Sequence, residues 1–430
     1  MNKVFDVSRT GNPFVDQGLY CISYLVAKRL EDLTQEDFRN VLDKYNIAFL
    51  NKNLKSFTMV FGTNNPLYQN AYKPNNEKIY TSYLLELIDG ISTSGYDYCE
   101  ICGENYDFDI DTAWQNVCQK HKLNYKERKY VGRDTFPLIG SIGNDAQALP
   151  GASKIQNVCP KCLFAVNFIP LSTSLLKGKL TCYESTSEEM LYGLISHNVK
   201  QNQARISAGE KEILGKKEGT AKIFESFLDI MRDMKDANLP DYEAVYIWNF
   251  SNSGTGADCS IIEIPNRSLK FLCKLSRKSE ELKREFLNLM QNDKGNRLLD
   301  ALLESKDSSL LYPYKKYTGV SVHLYEIYQT EIVGRSEKAL SFAKTVALEL
   351  KDGKNLKEIE KLKSSDIFKG LANRNRVRKL IVEMILDGEA GFDDYAELFN
   401  PSGKYLYNPL IQDYDPIMYY IYNSEAEVKE

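Results

Sequence analysis

A chain of 430 residues with 43% apolar and 27% charged side chains has the make-up of a folded globular protein, which excludes a disordered or fibrous one. No run of about 18 apolar residues occurs, and residues 1–9 carry no apolar signal-peptide core, so no membrane span is expected and the chain reads as cytoplasmic. The net charge of −4 argues on its face against a nucleic-acid partner, but residues 380–430 hold 11 acidic against 2 basic residues, leaving +5 on the first 379.

Taken in order, Thr10-Gly11-Asn12-Pro13-Phe14-Val15-Asp16 reads as a turn and a helix start. Asn12 can cap, Pro13 suits the first helical position and Asp16 complements the helix dipole. Leu19, Ile22, Val26 and Leu30 then keep a helical period, and a second helix is expected from Thr34 through Phe38 and Val41. Met59-Val60-Phe61 reads as a short strand. The loop after it, residues 62–70, is crowded with amides. Such loops are ordinarily plain turns, yet Asn64, Asn65 and Gln69 are also of the type that pairs with base edges. Residues 77–91 read as a helix.

Two cysteine pairs follow, Cys99-Glu100-Ile101-Cys102 before Gly103, and Cys159-Pro160-Lys161-Cys162. Two-residue spacing lets both thiolates of a pair turn onto one ion, and four such ligands make a closed structural zinc site. A redox dithiol needs one pair in a βαβ context, and a disulfide framework belongs to small secreted chains. The 56 residues between the pairs exceed the about 12 to 20 of compact zinc modules, so the site is expected to clamp a large inserted loop. Cys21, Cys118, Cys182, Cys259 and Cys273 read as reduced thiols. Asp107, Asp109 and Asp111 mimic a calcium loop, but Thr112 and Cys118 stand where Gly and Glu are required.

Between the pairs lies a basic run, Lys120, Lys122, Lys126, Arg128, Lys129 and Arg133. It is either a solvated face or a footprint of phosphate contact. Residues 136–150 are too punctuated by Gly and Pro for a regular helix and read as a shaped loop carrying Ser141, Asn144 and Gln147. No Gly-Lys-Ser/Thr follows, so it is not a Walker phosphate loop.

Residues 163–171 and 179–183 alternate like paired strands, 188–199 and 211–234 read as helices, and 243–250 and 259–264 as a strand hairpin. After Leu272 helical periods dominate, over 275–289, 322–350, 356–368 and 377–386. The fold class expected is therefore α+β. A mixed α/β N-terminal domain, 1–270, with an inserted four-cysteine zinc site at 99–162, precedes a C-terminal α-helical bundle, 271–430. Residues 344–379 carry 11 basic against 5 acidic residues, and Arg374, Arg376, Arg378 and Lys379 open the last strong helix as further candidates for backbone contact. Only His121, His197 and His323 occur, with no Gly-x-Ser-x-Gly, His-Glu-x-x-His or dinucleotide fingerprint. A binding or scaffolding protein is expected, not an enzyme.

Several blocks combine into a resemblance. They are Thr10-Gly-Asn-Pro-Phe-Val-Asp-x-Gly18, Cys99-x-x-Cys102, Gly140-Ser-Ile-Gly-Asn-Asp-Ala-Gln147 with Pro150, Cys159-x-x-Cys162, and Trp248-x-Phe-Ser-Asn-Ser-Gly254 with Ile264-Pro265. In this order they resemble the CXXC-CXXC family of CRISPR-associated proteins, over about residues 10–275. The resemblance implies the large subunit of type I-B Cascade, an RNA-guided surveillance complex of antiviral defence or of a transposon that has borrowed it. Implied partners are CRISPR RNA, target double-stranded DNA, the Cascade backbone and small subunits, and a separate helicase-nuclease. Such a subunit inspects the protospacer-adjacent motif (PAM), helps R-loop formation and leaves cleavage to its partner. PAM candidates are Asn64, Asn65, Gln69, Ser141, Asn144 and Gln147, and backbone candidates Lys126, Arg128, Lys129, Arg133, Arg374, Arg376, Arg378 and Lys379. A second product beginning at Met290 could supply the small subunit. The rival reading is a free-standing, zinc-stabilised nucleic-acid-binding protein unrelated to CRISPR.

Overall fold

The computed structural model describes residues 7–45, 56–61, 65, 75–92, 94–128, 131–139, 157–176, 179–209, 220–233, 243–252, 258–312, 319–352, 379, 382–383, 386 and 415–423. Two compact units result, one of residues 1–219 with 243–264 and one of 220–242 with 265–430. The second unit thus draws in a segment lying before the 270/271 boundary read from the sequence.

In the first unit, helix α1 (Pro13–Val26) starts as its sequence dictates. Asn12 Oδ1 accepts from the Phe14 and Val15 N–H groups at 3.0 and 3.1 Å, satisfying donors that no helical carbonyl reaches. Asp16 folds back on the preceding turn, accepting from the Thr10 N–H at 2.8 Å and the Gly11 N–H at 3.0 Å. Gly11 has φ +77°, a conformation that glycine adopts without strain. The helix ends at Ala27 in the left-handed region and is buried on nearly every side, as a helix at the centre of a unit must be. Helix α2 (Gln35–Lys44) begins with the Thr34–Asp37 capping box.

Two expectations are corrected. Met59, Val60 and Phe61 lie in a short helix, α3 (Ser56–Phe61), not in a strand. Residues 163–171 are likewise not a strand. They run through helix α6 (Pro160–Ala165), a 3-10 turn (Val166–Phe168) and helix α7 (Ile169–Ser172), all buried. A short, largely apolar run whose only polar side chain, Asn167, is buried as well carries too little pattern to distinguish the two states. Pro160 at the first helical position is the signal that decides it.

Helix α4 (Asn76–Asp89) packs on α5 (Ile110–His121), and a small hairpin, β1 (Asp97–Tyr98) with β2 (Asn105–Tyr106), precedes α5. The main sheet is antiparallel in the order β3 (Ser174–Leu176), β4 (Lys179–Ser185), β5 (Val245–Ser251), β6 (Asp258–Ile264), with Cys182 opposite Trp248 and Trp248 opposite Ile261. Helix α8 (Glu188–Ser207) packs on α1, α7 and β4. The Phe14 ring meets Trp248 and Phe250 edge-on, at 6.1 and 4.9 Å between centroids. The first and last motif blocks of the unit, far apart in sequence, are thus one cluster.

The second unit is helical among its described residues. It comprises α9 (Thr220–Asp233), α10 (Asn266–Ser276), α11 (Glu280–Asn292), α12 (Arg297–Leu303), α13 (Val322–Tyr328), a π-helical turn (Gln329–Val333), α14 (Glu337–Asp352) and α15 (Asp415–Tyr422). The helix expected over 322–350 is therefore broken by the π turn, which ends at Gly334 with φ +82°. Phe271 joins Phe286 and Tyr328 edge-to-face, and Tyr325 stacks on Tyr419. Met290 is buried inside α11, doing ordinary packing. Residues 356–368 lie outside the described residues. No described helix is long and apolar enough to cross a membrane.

Candidate metal centre

Each cysteine pair is delivered by a different local device. The first sits on the β1–β2 hairpin, where the Cys99 N–H donates to the Glu104 carbonyl and the Gly103 N–H to the Cys99 carbonyl, both at 2.9 Å. Gly103 takes φ +74°, which closes the knuckle so that Cys99 and Cys102 face one way. The second pair opens α6, with Cys159 capping it, Pro160 next and Cys162 within its first turn. The two halves are laced together. The Glu100 N–H donates to the Asn157 carbonyl at 2.9 Å, and the Cys159 N–H points at Cys99 Sγ, 3.3 Å away.

The four sulfurs all lie within 4.8 Å of one another, with Cys102 to Cys159 at 3.6 Å and Cys99 to Cys162 at 4.0 Å. A zinc–sulfur bond of about 2.3 Å places the corners of a tetrahedron about 3.8 Å apart, so the donor set fits a zinc ion. A disulfide needs about 2.05 Å, which no pair approaches. Cys99, Cys159 and Cys162 are buried and Cys102 is half-buried.

The four thiols influence one another's ionisation. Hydrogen bonds from the thiols of Cys102, Cys159 and Cys162 hold Cys99 well below the usual thiol range. Contacts with Cys102 first, then with Cys159 and Cys99, push Cys162 well above it. Four packed sulfurs cannot all ionise side by side; a bound dication lets all four be thiolates.

Beyond Cys162 the chain is pinned into the core by side-chain amides. Asn167 accepts from the Tyr80 hydroxyl and donates to the Leu163 carbonyl at 2.6 Å. Gln17 donates to the Ser172 carbonyl at 2.6 Å and accepts from the Tyr183 N–H at 3.1 Å. Asn202 donates to the carbonyls of Leu171 and Thr173 at 2.7 and 2.9 Å. These bonds give side-chain partners to buried backbone groups from α6 through α7 to β3 and, at Tyr183, in β4.

The nucleic-acid candidates divide. Asn65 is buried, its amide donating to the Asp134 carbonyl at 3.2 Å, so it is spent on the fold and not presented as a reader. Arg128 is also engaged: its guanidinium lies 4.8 Å over the Trp114 ring and 2.8 Å from the Asp134 carboxylate. Arg133 is half-buried, and its carbonyl accepts from the Asn252 amide at 2.8 Å. Lys126 is exposed. Lys379 is exposed, 3.8 Å from the Glu383 carboxylate. Asn64, Gln69, Lys129, Ser141, Asn144, Gln147, Arg374, Arg376 and Arg378 lie outside the described residues.

The geometry adds groups that the linear reading missed. Helices α4 and α5 run antiparallel, with Ser82 Oγ 2.9 Å from His121 Nε2 and the Asn116 amide 2.9 Å from Glu86. This brings Lys78 beside exposed Lys120 and Lys122. Partial burial, then the charges of Lys120 and Lys78, lower the His121 pKa. Lys161, a variable position of a C-x-x-C spacing, is buried against the centre with its Nζ 2.6 Å from Glu104 Oε2. That Glu104 carboxylate oxygen is 3.9 Å from Cys102 Sγ.

The family described as CRISPR-associated protein (Cas_CXXC_CXXC) matches residues 114–174, from α5 through the second cysteine pair to the edge of the main sheet. This similarity points to a CRISPR-associated protein. No curated protein and no solved structure matches the chain.

Proposed function

We propose that this chain is the large subunit of a type I-B Cascade complex, with one zinc ion held by Cys99, Cys102, Cys159 and Cys162. In this reading it is cytoplasmic and not itself an enzyme. It inspects the protospacer-adjacent motif in duplex DNA, helps the guide RNA open the duplex, and recruits a separate helicase-nuclease. What carries the proposal is one coincidence: the family-matched span contains the second cysteine pair, and its sulfurs meet those of the first pair at zinc-binding distances.

Supporting it, exposed lysines gather where the start of α4 meets the end of α5, and phosphate contact requires no base-specific geometry. Motif reading falls to the remaining amide and hydroxyl candidates, Asn64, Gln69, Ser141, Asn144 and Gln147. The test is to isolate the tagged chain from its native cells, sequence the bound RNA and identify the accompanying proteins. A guide-length RNA with Cascade backbone subunits is the expected outcome, together with duplex binding that depends on the motif. Recovery of the chain with unguided nucleic acid alone would favour the free-standing binding protein, and recovery with neither would remove both.

A further inference from the structure

We propose that Lys161 is the built-in counter-charge of the four-cysteine centre, positioned by Glu104, and that it sets how firmly the centre keeps its zinc. The inference rests on the zinc reading of the four cysteines and goes beyond it to a residue outside the ligand set.

Four thiolates around Zn²⁺ carry a net charge of about −2, and three of these four side chains are buried. Charge in such surroundings is costly unless an opposite charge lies close by. Lysine is almost never buried without a partner, yet the Lys161 side chain is 3% exposed. Its ammonium is 2.6 Å from Glu104 Oε2, and that oxygen is 3.9 Å from Cys102 Sγ. The Glu104 side chain is 34% exposed, so only the ammonium of the pair is buried, and a partly solvated carboxylate alone gives little return for burying it. The adjoining tetrathiolate supplies the reason. Removing the Lys161 charge would leave the centre and Glu104 with a net charge of about −3. Glu104, on the hairpin that carries Cys99 and Cys102, orients the ammonium through a hydrogen bond that a glutamine oxygen at this position can equally accept.

The charge ordering separates this role from a merely structural ion pair. Zinc-loaded full-length protein is mixed with a chromophoric chelator, and the rate of zinc transfer is followed for Lys161→Met, Glu104→Gln, the double variant and Lys161→Arg. Circular dichroism checks that each is folded. Lys161→Met is expected to release zinc roughly 10- to 100-fold faster, the range seen when groups supporting metal ligands are removed. The double variant should also release zinc faster than the wild type, because the sulfurs still lack their cation. Glu104→Gln, which leaves the whole lysine charge to the sulfurs, and Lys161→Arg, which keeps a cation there, should stay within a few-fold of wild type.

If Glu104→Gln is as leaky as Lys161→Met, or the double variant returns to the wild-type rate, the pair is structural and the proposal fails. Should Lys161→Met not fold, Lys161→Arg releasing zinc more than tenfold faster than wild type overturns it equally. Zinc-free wild-type protein would overturn the metal reading itself, a result distinct from zinc-loaded protein whose variants all release alike.

Discussion

Gly18 and Ala165 stand so close that a Cβ on residue 18 would lie 1.9 Å from the Ala165 carbonyl oxygen. Helix α1 therefore rests backbone to backbone on α6, the helix that carries the second cysteine pair. Because the obstacle is main chain, no side-chain movement can relieve it. Gly18→Ala is expected to cost at least the about 1–3 kcal/mol of ordinary overpacking, read as a lowered urea midpoint. An unchanged midpoint would mean that α1 and α6 are not held at this separation.

Zinc removal should be felt well beyond the knuckles. Binding worth about 10–16 kcal/mol is comparable with a whole-domain stability of about 5–15 kcal/mol. Cys162 opens the segment whose amide network pins the core, so Cys159→Ser should lose the metal and lower the melting temperature of the first unit. Elemental analysis and differential scanning calorimetry, with one zinc per wild-type chain as the reference, check both expectations.

Basic residues of the α4–α5 pair and of the segment after it should differ in kind. Reversing Lys78, Lys120 and Lys122 to Glu is expected to flatten the salt dependence of duplex affinity by about 0.7–0.9 for each phosphate no longer neutralised. Arg128→Ala should leave that slope alone and lower thermal stability, because its guanidinium is occupied by Trp114 and Asp134. Affinity titrations at several salt concentrations, paired with melting curves, distinguish the two patterns.

Asp109 gives a pH signature. Its carboxylate caps α5, and the Thr112 hydroxyl with the N–H groups of Asp111 and Thr112 holds its pKa below the ordinary 3.8. A group lowered on folding contributes stability that is present above its unfolded pKa and is lost as pH falls through the folded value. Wild type should therefore exceed Asp109→Asn in stability near neutrality, with the difference shrinking below pH 3.8. Because any bound zinc would be released from both proteins in acid, the difference between their melting temperatures at each pH is the quantity to follow. A gap that persists at pH 2 would show that the charge on Asp109 is not its source.

The legible parts of the sequence were those written in local chemistry. Asn12, Pro13 and Asp16 announced α1, Thr34 and Asp37 announced α2, and the C-x-x-C spacings announced the thiolate cluster. The illegible parts depend on partners distant in sequence. Residues 163–171 alternate by composition but are buried on all sides, so their apolar pattern could not separate helix from strand. Asn65 looked like a reader of bases because nothing local reveals that the Asp134 carbonyl waits for it, 69 residues away. Lys161 passed as filler between two ligands, since its meaning lies in Glu104 on the other knuckle.

The separation of the two knuckles also has a consequence in time. Residues 99 and 162 leave the ribosome in that order, and at about 5–20 residues per second the interval is roughly 3–13 seconds. Throughout that interval Cys99 and Cys102 exist as half a chelate on a nascent chain, able to hold an ion only loosely and open to oxidants. On the zinc reading, the tetrahedron can close only once α6 has emerged, so the first pair would wait incomplete until then.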